Sequence, residues 1–478
     1  MKLEVRPILL CSALGLASAS GAAAADATFR IVTFDPGHFH AALVHRESYP
    51  DVDDRVHVYA ALGWDLAEHL KRVGRFNDRA ASPTHWQLEI HTGPDSLARM
   101  VKEKAGNVVV ISGKNRPKID AVAASVGAGF HALVDKPWIL TSADLPRLRA
   151  VMADAEKNGV VPYDMMTERF EVTTQLQKEL VNDPAVFGKI LPGTEAEPAV
   201  VMESVHHLMK VAAGAPLIRP AWFFDTNVQG EALADIGTHL VDLVPWTLWP
   251  EQAIDAEKDV RLVAAQRWPL VISKDDFRRV TGEADFPDFL KHAIKTPTQA
   301  PPSSKDASLE YFCNTLVSYS LRGVHVKLNI LWDWEAPAGA GDSHYAVYRG
   351  SKSRIEIRQG AAEGHRPQTY VVPNEPKDKA AVAAAVRKRL ALVQADYPGV
   401  DLVEREADLL LKIPDSLRTS HEEHFAQVAR RFFNYAKKPL SLPKWETANL
   451  LAKYHVTTKG TELSREAPVR TAPRLAPR

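Results

Sequence analysis

Asp235 and His239 stand four residues apart in Gly230–Trp246 (GEALADIGTHLVDLVPW), and their spacing is the first sign of chemistry in the chain. Leu233, Ile236, Leu240 and Leu243 recur at helical intervals as an apolar stripe. Asp235, His239, Asp242 and Trp246 recur as a second, polar stripe. The pattern predicts one buried helix. A carboxylate one turn from an imidazole can orient the ring and fix its tautomer, and a histidine so held is suited to accept a proton. Gly237 sits mid-helix, where glycine costs about 1 kcal/mol relative to alanine, so a close approach to the backbone is expected there. On this stretch alone, a core helix with a merely hydrogen-bonded histidine is the plain alternative.

Two further histidine groups invite chemistry. Asp35-Pro36-Gly37-His38-Phe39-His40 follows an apolar strand and leads into an apolar helix, where a nucleotide fold seats a pyrophosphate over a glycine turn. Of the G-x-G-x-x-G pattern only the middle glycine survives, as Gly37, with Asp35 and His40 in the outer places. His38 and His40 could be phosphate donors, metal ligands or capping residues. Asp65 is a candidate for the adenine ribose, in an uncertain register. His206-His207 ends a strand-like run, so the two rings are expected on opposite faces. A metal centre from one of them with His239 and Asp235 is conceivable by ligand type, but no histidine pair at helical spacing supports it and no metal is assigned.

The elements that must position these groups fall into two patterns. From Phe29 to about Phe187, short apolar runs alternate with helical patterns, the signature of a parallel sheet flanked by helices. Strands are expected at Phe29–Asp35, Arg55–Leu62, Trp86–His91, Asn107–Ser112, His131–Val134 and Val160–Tyr163. After Gly188 strand-like runs dominate, from Ala199–His206 to Arg354–Ile357, and predict an open, mostly antiparallel sheet with the Gly230–Trp246 helix against it. Ala380–Gln394 and His421–Lys437 read as late helices, Lys295–Lys305 as a loop. The expected domains are a signal peptide over 1–25, a Rossmann-type domain over 26–187, an α+β domain over 188–464 and a disordered tail over 465–478.

The 478 residues are 45% hydrophobic, enough for a sizeable core, and Lys+Arg balance Asp+Glu at 59 each, which gives no electrostatic case for nucleic acid. Lys2 and Arg6, the apolar Pro7–Ala17 and the small residues Ser18–Ala25 read as an export signal, hence a periplasmic or secreted protein. No later segment has the roughly 18 uninterrupted apolar residues of a membrane span. Removing the leader would take Cys11 with it and leave Cys313 alone, without an intrachain disulfide.

Gly127–Thr141 (GAGFHALVDKPWILT), with the strand-ending Ser112-Gly113-Lys114-Asn115, resembles the glucose–fructose oxidoreductase, inositol dehydrogenase and rhizopine-catabolism family. Asp135-Lys136-Pro137 stands where that family has Glu-Lys-Pro, and Gln229–His239 looks like its Gly-rich lead followed by Asp and His. The resemblance covers roughly Phe29–Trp246, most like a branch whose C-terminal half is known only as an oxidoreductase domain; Asp164–Arg169 and Arg219–Asp225 look typical of that branch. It implies NAD or NADP, held by Gly37, His38, Phe39, His40, Gly113, Asn115, Asp135 and Lys136, and often dimerisation through the open sheet.

Moving hydride from a secondary alcohol requires removing the hydroxyl proton and stabilising the alkoxide. His239 is the expected base, Lys136 the oxyanion stabiliser or proton shuttle, and Asp235 the partner that orients His239. Tyr163, Arg169, His206, His207 and Trp222, with Lys210, are candidates for binding a carbohydrate substrate. The expected activity is oxidation of a sugar or glycoside hydroxyl, either net or as one stage of redox-neutral glycoside cleavage. The rival expectation is a non-catalytic sugar- or nucleotide-binding protein, favoured by the eroded glycine turn and by export to a compartment poor in free NAD.

Overall fold

The computed structural model describes residues 28–212, 215–296 and 306–469. The expected leader lies outside them, as do most of the 295–305 loop and of the tail. Arg465 and Glu466 still belong to the last helix.

The first lobe is a six-stranded parallel sheet of order β3-β2-β1-β4-β5-β6. Its strands are β1 (Ile31–Phe34), β2 (Arg55–Ala60), β3 (Gln87–Thr92), β4 (Val108–Ile111), β5 (His131–Val134) and β6 (Pro162–Asp164). The central β1 and β4 are almost wholly buried and uniformly apolar, apart from Thr33, as strands covered on both faces must be. Helices α1 (His40–Val44), α2 (Trp64–Asp78), α3 (Ser96–Glu103), α4 (Lys118–Gly127) and α5 (Leu145–Asn158) make the crossovers. The strand order reverses between β1 and β4, and ligands bind such sheets at the carboxyl ends beside that switch point. Asp35–His40, Ser112–Asn115 and Asp135–Lys136 leave three neighbouring strands there.

The second lobe is a mixed sheet of order β10-β12-β13-β7-β14-β15-β16-β18-β17, with the short β11 (Ile294–Lys295) beside β12. Its strands are β7 (Val200–Met209), β10 (Val260–Ser273), β12 (Ser308–Leu321), β13 (Val324–Glu335), β14 (Ser343–Arg349), β15 (Ser353–Gln359), β16 (Gln368–Pro373), β17 (Asp401–Glu404) and β18 (Leu409–Lys412). A two-stranded ribbon, β8 (Val211–Ala212) and β9 (Ala215–Pro216), stands apart. Only β13 and β7 pair in parallel, so the expected α/β fold with an open, mostly antiparallel second sheet is what the chain forms. Helices α6 (Val172–Val181), α7 (Ala232–Asp235), α8 (Gly237–Leu248) and α12 (Lys444–Glu466) pack against strands of this sheet.

Packing divides the chain differently from the expected break at 187/188. Leu176 and Leu180 of α6 already lie in the second core. Conversely, α11 (His421–Lys437) returns to the first lobe, where Phe425, Val428 and Phe432 complete the core beneath β1 and β2.

The expected single helix over 230–246 is two, α7 and α8, with a turn at Ile236. Gly237 has a packing reason: a Cβ there would stand 2.7 Å from the Leu233 side chain, and a Cβ on Gly460 of α12 would stand 2.7 Å from the same side chain. Leu233 thus fills the space left by two glycines and brings α12 close. Helix α12 has no clean apolar period because it is buried on several sides. Its hydroxyls fold onto its own carbonyls, Thr458 on Tyr454 at 2.6 Å and Thr461 on Thr457 at 2.8 Å, so a polar sequence can lie in the interior.

Candidate active site

Asp135, at the end of β5, gathers the glycine turn. Its carboxylate accepts from His38 Nδ1 at 2.8 Å, His40 Nδ1 at 3.1 Å and Ser112 Oγ at 2.8 Å. Burial opposes the charge, but the two imidazoles and their hydrogen bonds outweigh it and hold Asp135 well below the usual carboxylate range. A carboxylate only accepts, so both rings carry hydrogen on Nδ1 and present Nε2 as an acceptor. Burial lowers the pKa of His38 and His40, keeping them neutral.

Several residues expected at the cofactor are committed elsewhere. Asn115 donates to the carbonyl and side chain of Gln229 at 2.7 and 3.0 Å and accepts from Lys118 at 2.6 Å, which ties the lobes together. Lys118 also donates to the Asp135 carbonyl at 2.9 Å. Gly113 is glycine because the Asp35 carboxylate fills the place of its Cβ. Phe39 turns its ring against His38 and His40 as the helix begins. Gly37 is glycine because two side chains crowd the turn: a Cβ there would lie 2.9 Å from the Asp65 carboxylate and 3.1 Å from Trp222. Asp65, in the first turn of α2, accepts the Trp222 indole N–H at 3.0 Å.

Lys136 reaches across the interlobe cleft. Its ammonium donates to Asp235 Oδ1 at 2.6 Å and to the Asp235 carbonyl at 2.9 Å, both buried. Two of its three donors are thereby engaged. This corrects the expected Asp235–His239 pair. The two stand four residues apart, but Asp235 ends α7 and His239 belongs to α8. A charge-assisted bond to an arriving ammonium is the stronger choice for a buried carboxylate, and the Lys136 charge is the main influence holding Asp235 low against its burial.

His239 is left with a buried Nδ1 that has no hydrogen-bond partner among the described residues. Burial, with the Lys136 charge behind it, brings its pKa down to about 3, so the ring is neutral. The carboxylate that faces it is Glu168, in the turn Thr167–Phe170. Burial pushes Glu168 up, but its hydrogen bond to His421 Nδ1 (3.4 Å), with His239 and His424 adding their fields, holds it below the carboxylate range. Glu168 and His421 have side chains 35% and 44% exposed, so this wall of the cleft opens to solvent. Sequence reasoning gave neither a role. Glu168 lay within a segment already noted, whereas His421 comes from a helix 180 residues beyond His239.

The remaining expected substrate residues separate. Arg169 is sealed: it forks onto Asp242 at 2.6 and 2.8 Å, and its third nitrogen meets Glu446 at 2.9 Å. Tyr163 packs on Tyr435 in the first core, with ring centroids 5.5 Å apart. His206 and His207 were expected to diverge, yet both reach Asp342, at 3.2 and 3.0 Å, and Lys210 joins them at 3.1 Å. Asp342 precedes β14, next to the end of β7, where one carboxylate meets side chains from both faces of the strand and the His207 N–H.

Burying so many neutral histidines has a measurable consequence. His45 and His424 are brought to about 4 by burial, and His239 to about 3. Their folded values lie below the unfolded value near 6.5, so the unfolded chain takes up protons first as pH falls. Stability is therefore full above pH 6.5 and declines below it, on the order of 3 kcal/mol for each histidine by pH 4. Asp135 and Asp235, with depressed values, keep their contribution until about pH 4. Urea unfolding at pH 7.5 and 5 should show a much lower midpoint at pH 5; equal midpoints would refute the reading.

The family model described as "Putative oxidoreductase C terminal domain" matches residues 176–465. The chain belongs to that oxidoreductase family. The match begins inside α6, where the second core takes over the chain, and ends at the close of α12. A crystal structure described as a putative oxidoreductase from Parabacteroides merdae is 41% identical and covers 93% of this chain and 99% of its own, with a TM-score of 0.87. More distant likenesses show the fold. GenD2 from gentamicin A biosynthesis, in complex with NAD, is 14% identical over 91% of this chain and 93% of its own (TM-score 0.52). KijD10, a 3-ketoreductase from Actinomadura kijaniata in complex with NADP and TDP-benzene, is 15% identical over 89% of this chain and 94% of its own (TM-score 0.51). No curated protein matches the chain.

Proposed function

We propose that this oxidoreductase is of the glucose–fructose oxidoreductase, inositol dehydrogenase and rhizopine-catabolism type and oxidises a secondary hydroxyl of a sugar or glycoside with NAD. The observation that supports the reading is the pairing of Lys136 from the first lobe with Asp235 from the second, close enough for the Lys136 charge to act on His239, whose Nδ1 is buried and without a hydrogen-bond partner among the described residues.

Whether the residues suit a dinucleotide is decided at the glycine turn. Gly37 carries no side chain, and Asp65 beside it is an acceptor for ribose hydroxyls at the point where such folds use an acidic residue. The turn fits the adenosine end, with the Trp222 indole lying across it. A 2′-phosphate would face the Asp65 carboxylate, whose pKa burial raises and the Asp35 charge nearby raises further. NAD is therefore expected to bind at least about tenfold more tightly than NADP, and Asp65→Asn to weaken NAD by about ten- to a hundredfold while narrowing that preference. Isothermal titration of both cofactors checks this. Preference for NADP would overturn the assignment of Asp65.

When bound, the nicotinamide supplies the carbon that accepts the two electrons. The chain's own residues handle the proton. Lys136 donates to the substrate oxygen and stabilises the alkoxide, and Asp235 holds that ammonium in place. Neutral His239 takes the hydroxyl proton, and Glu168 with His421 offers an outlet toward solvent. The same site serves redox-neutral glycoside cleavage, in which a transient ketone acidifies the neighbouring C–H. Aglycone release with NADH at constant level would mark that variant; net NADH formation would mark simple oxidation. We place the protein outside the cytoplasm from the 1–25 leader, and N-terminal sequencing of the mature chain tests that.

The indole over Gly37 favours a second reading, a binding protein without chemistry. Native mass spectrometry of the purified chain, followed by turnover on a sugar panel, separates the two. Neither bound dinucleotide nor turnover would leave the binding protein.

A further inference from the structure

Far from the cleft, the edge of the first sheet carries a second cluster of metal-ligating atoms. His57 on β2 and Glu89 on β3 are register partners, as are Tyr59 and His91. Side chains two apart on a strand share a face, so His57, Tyr59, Glu89 and His91 stand together on one surface of this edge pair. His57 Nδ1 lies 3.1 Å from His91 Nε2 and 3.4 Å from Glu89 Oε2. Ligands bound at about 2.0–2.1 Å around a tetrahedral ion stand about 3.3 Å apart. Two of the three separations thus already match the edge of such a tetrahedron, and all three atoms lie within 4.8 Å of one another.

The groups behind them match what a metal site requires. A ligating histidine usually gives its other ring nitrogen to a carboxylate. His91 is oriented toward one: its Nδ1 lies 3.8 Å from Glu103 Oε2, short of a hydrogen bond, and the same oxygen accepts the Tyr59 hydroxyl at 2.6 Å. Tyr59 stacks flat on His91 with centroids 4.3 Å apart and 7° between planes, which sets the ring's orientation. Glu89 keeps its second oxygen on Arg55 at 3.3 Å.

We propose that His57 Nδ1, His91 Nε2 and Glu89 Oε2 bind one divalent transition-metal ion of the zinc type, with water in the fourth position. The ion joins the edge strand β3 to β2 and, through Glu103, to α3. It is independent of the oxidoreductase site and of whichever reaction that site performs.

The test uses the full-length chain stripped with chelator. Titration with Zn2+ by calorimetry should show a site that the His57→Asn/His91→Gln double variant loses. Co2+ in its place should give the intense visible absorption of a four-coordinate ion, absent in the double variant. Glu103→Gln should weaken binding by about tenfold or more, as expected for a carboxylate behind a ligand. Metal-free circular dichroism and melting of each variant report folding; should the double variant fail to fold, Glu89→Gln and Glu103→Gln carry the comparison. Equal Zn2+ uptake by parent and variants, or no uptake by the parent, would overturn the site and leave a hydrogen-bonded histidine pair.

Discussion

Replacing Lys136 by Met is expected to lower kcat about a thousandfold on any sugar the enzyme oxidises, with a smaller change in KM. On the proposed reading the ammonium would act on the reacting oxygen mainly as charge develops there, and removing one such donor costs about a hundred- to a thousandfold. His239→Gln should lose a comparable factor, in the range of about a hundred- to ten-thousandfold for a positioned base. Lys136→Met has a second effect that separates chemistry from structure. It strands the Asp235 carboxylate, which is buried and paired at 2.6 Å, and a buried charge left alone costs about 3–5 kcal/mol. Lys136→Met/Asp235→Asn should therefore regain most of the lost stability and none of the lost activity. Activity returning with stability would mean that Lys136 only holds the lobes together.

Arg169→Met is expected to be the most destabilising single change away from the cleft. Arg169 is the hub of a dry network: it holds Asp242 and Glu446, while Lys453 holds Asp164 at 2.8 Å and approaches Asp242 at 3.4 Å. Tyr454 adds its hydroxyl to Asp164 at 2.9 Å. The network joins the turn after β6 to α8 and α12, so the arginine links both lobes. Its loss leaves Asp242 with only the longer Lys453 contact and Glu446 without its guanidinium, a penalty of about 3–5 kcal/mol. Urea unfolding should show the full drop, with KM of the folded enzyme unchanged. A raised KM with normal stability would restore Arg169 to the substrate site, where the sequence reading had placed it.

Much of the fold was legible because it rests on local patterns. The apolar β1, β4 and β5 declared a covered parallel sheet, and the bounds His421–Lys437 were readable from amphipathic spacing. Helix α12 was not legible, since its buried threonines carry no apolar period. Lys136 and His239 were singled out by type and context. Glu168 and His421 were not, because nothing near either residue says that they will face His239.

What the sequence determined by itself is the set of local preferences: which runs become strands, where the turns fall, and which residues can move a proton. Tertiary structure decided the partners. Asp235 and His239 stand four residues apart, yet Asp235 went to Lys136, which arrives from about a hundred residues away. Arg169, expected to bind substrate, is instead held by Asp242 and by Glu446 from the last helix. A buried charge binds whichever opposite charge the packing brings nearest, and that depends on how two lobes dock, which no spacing along the chain encodes.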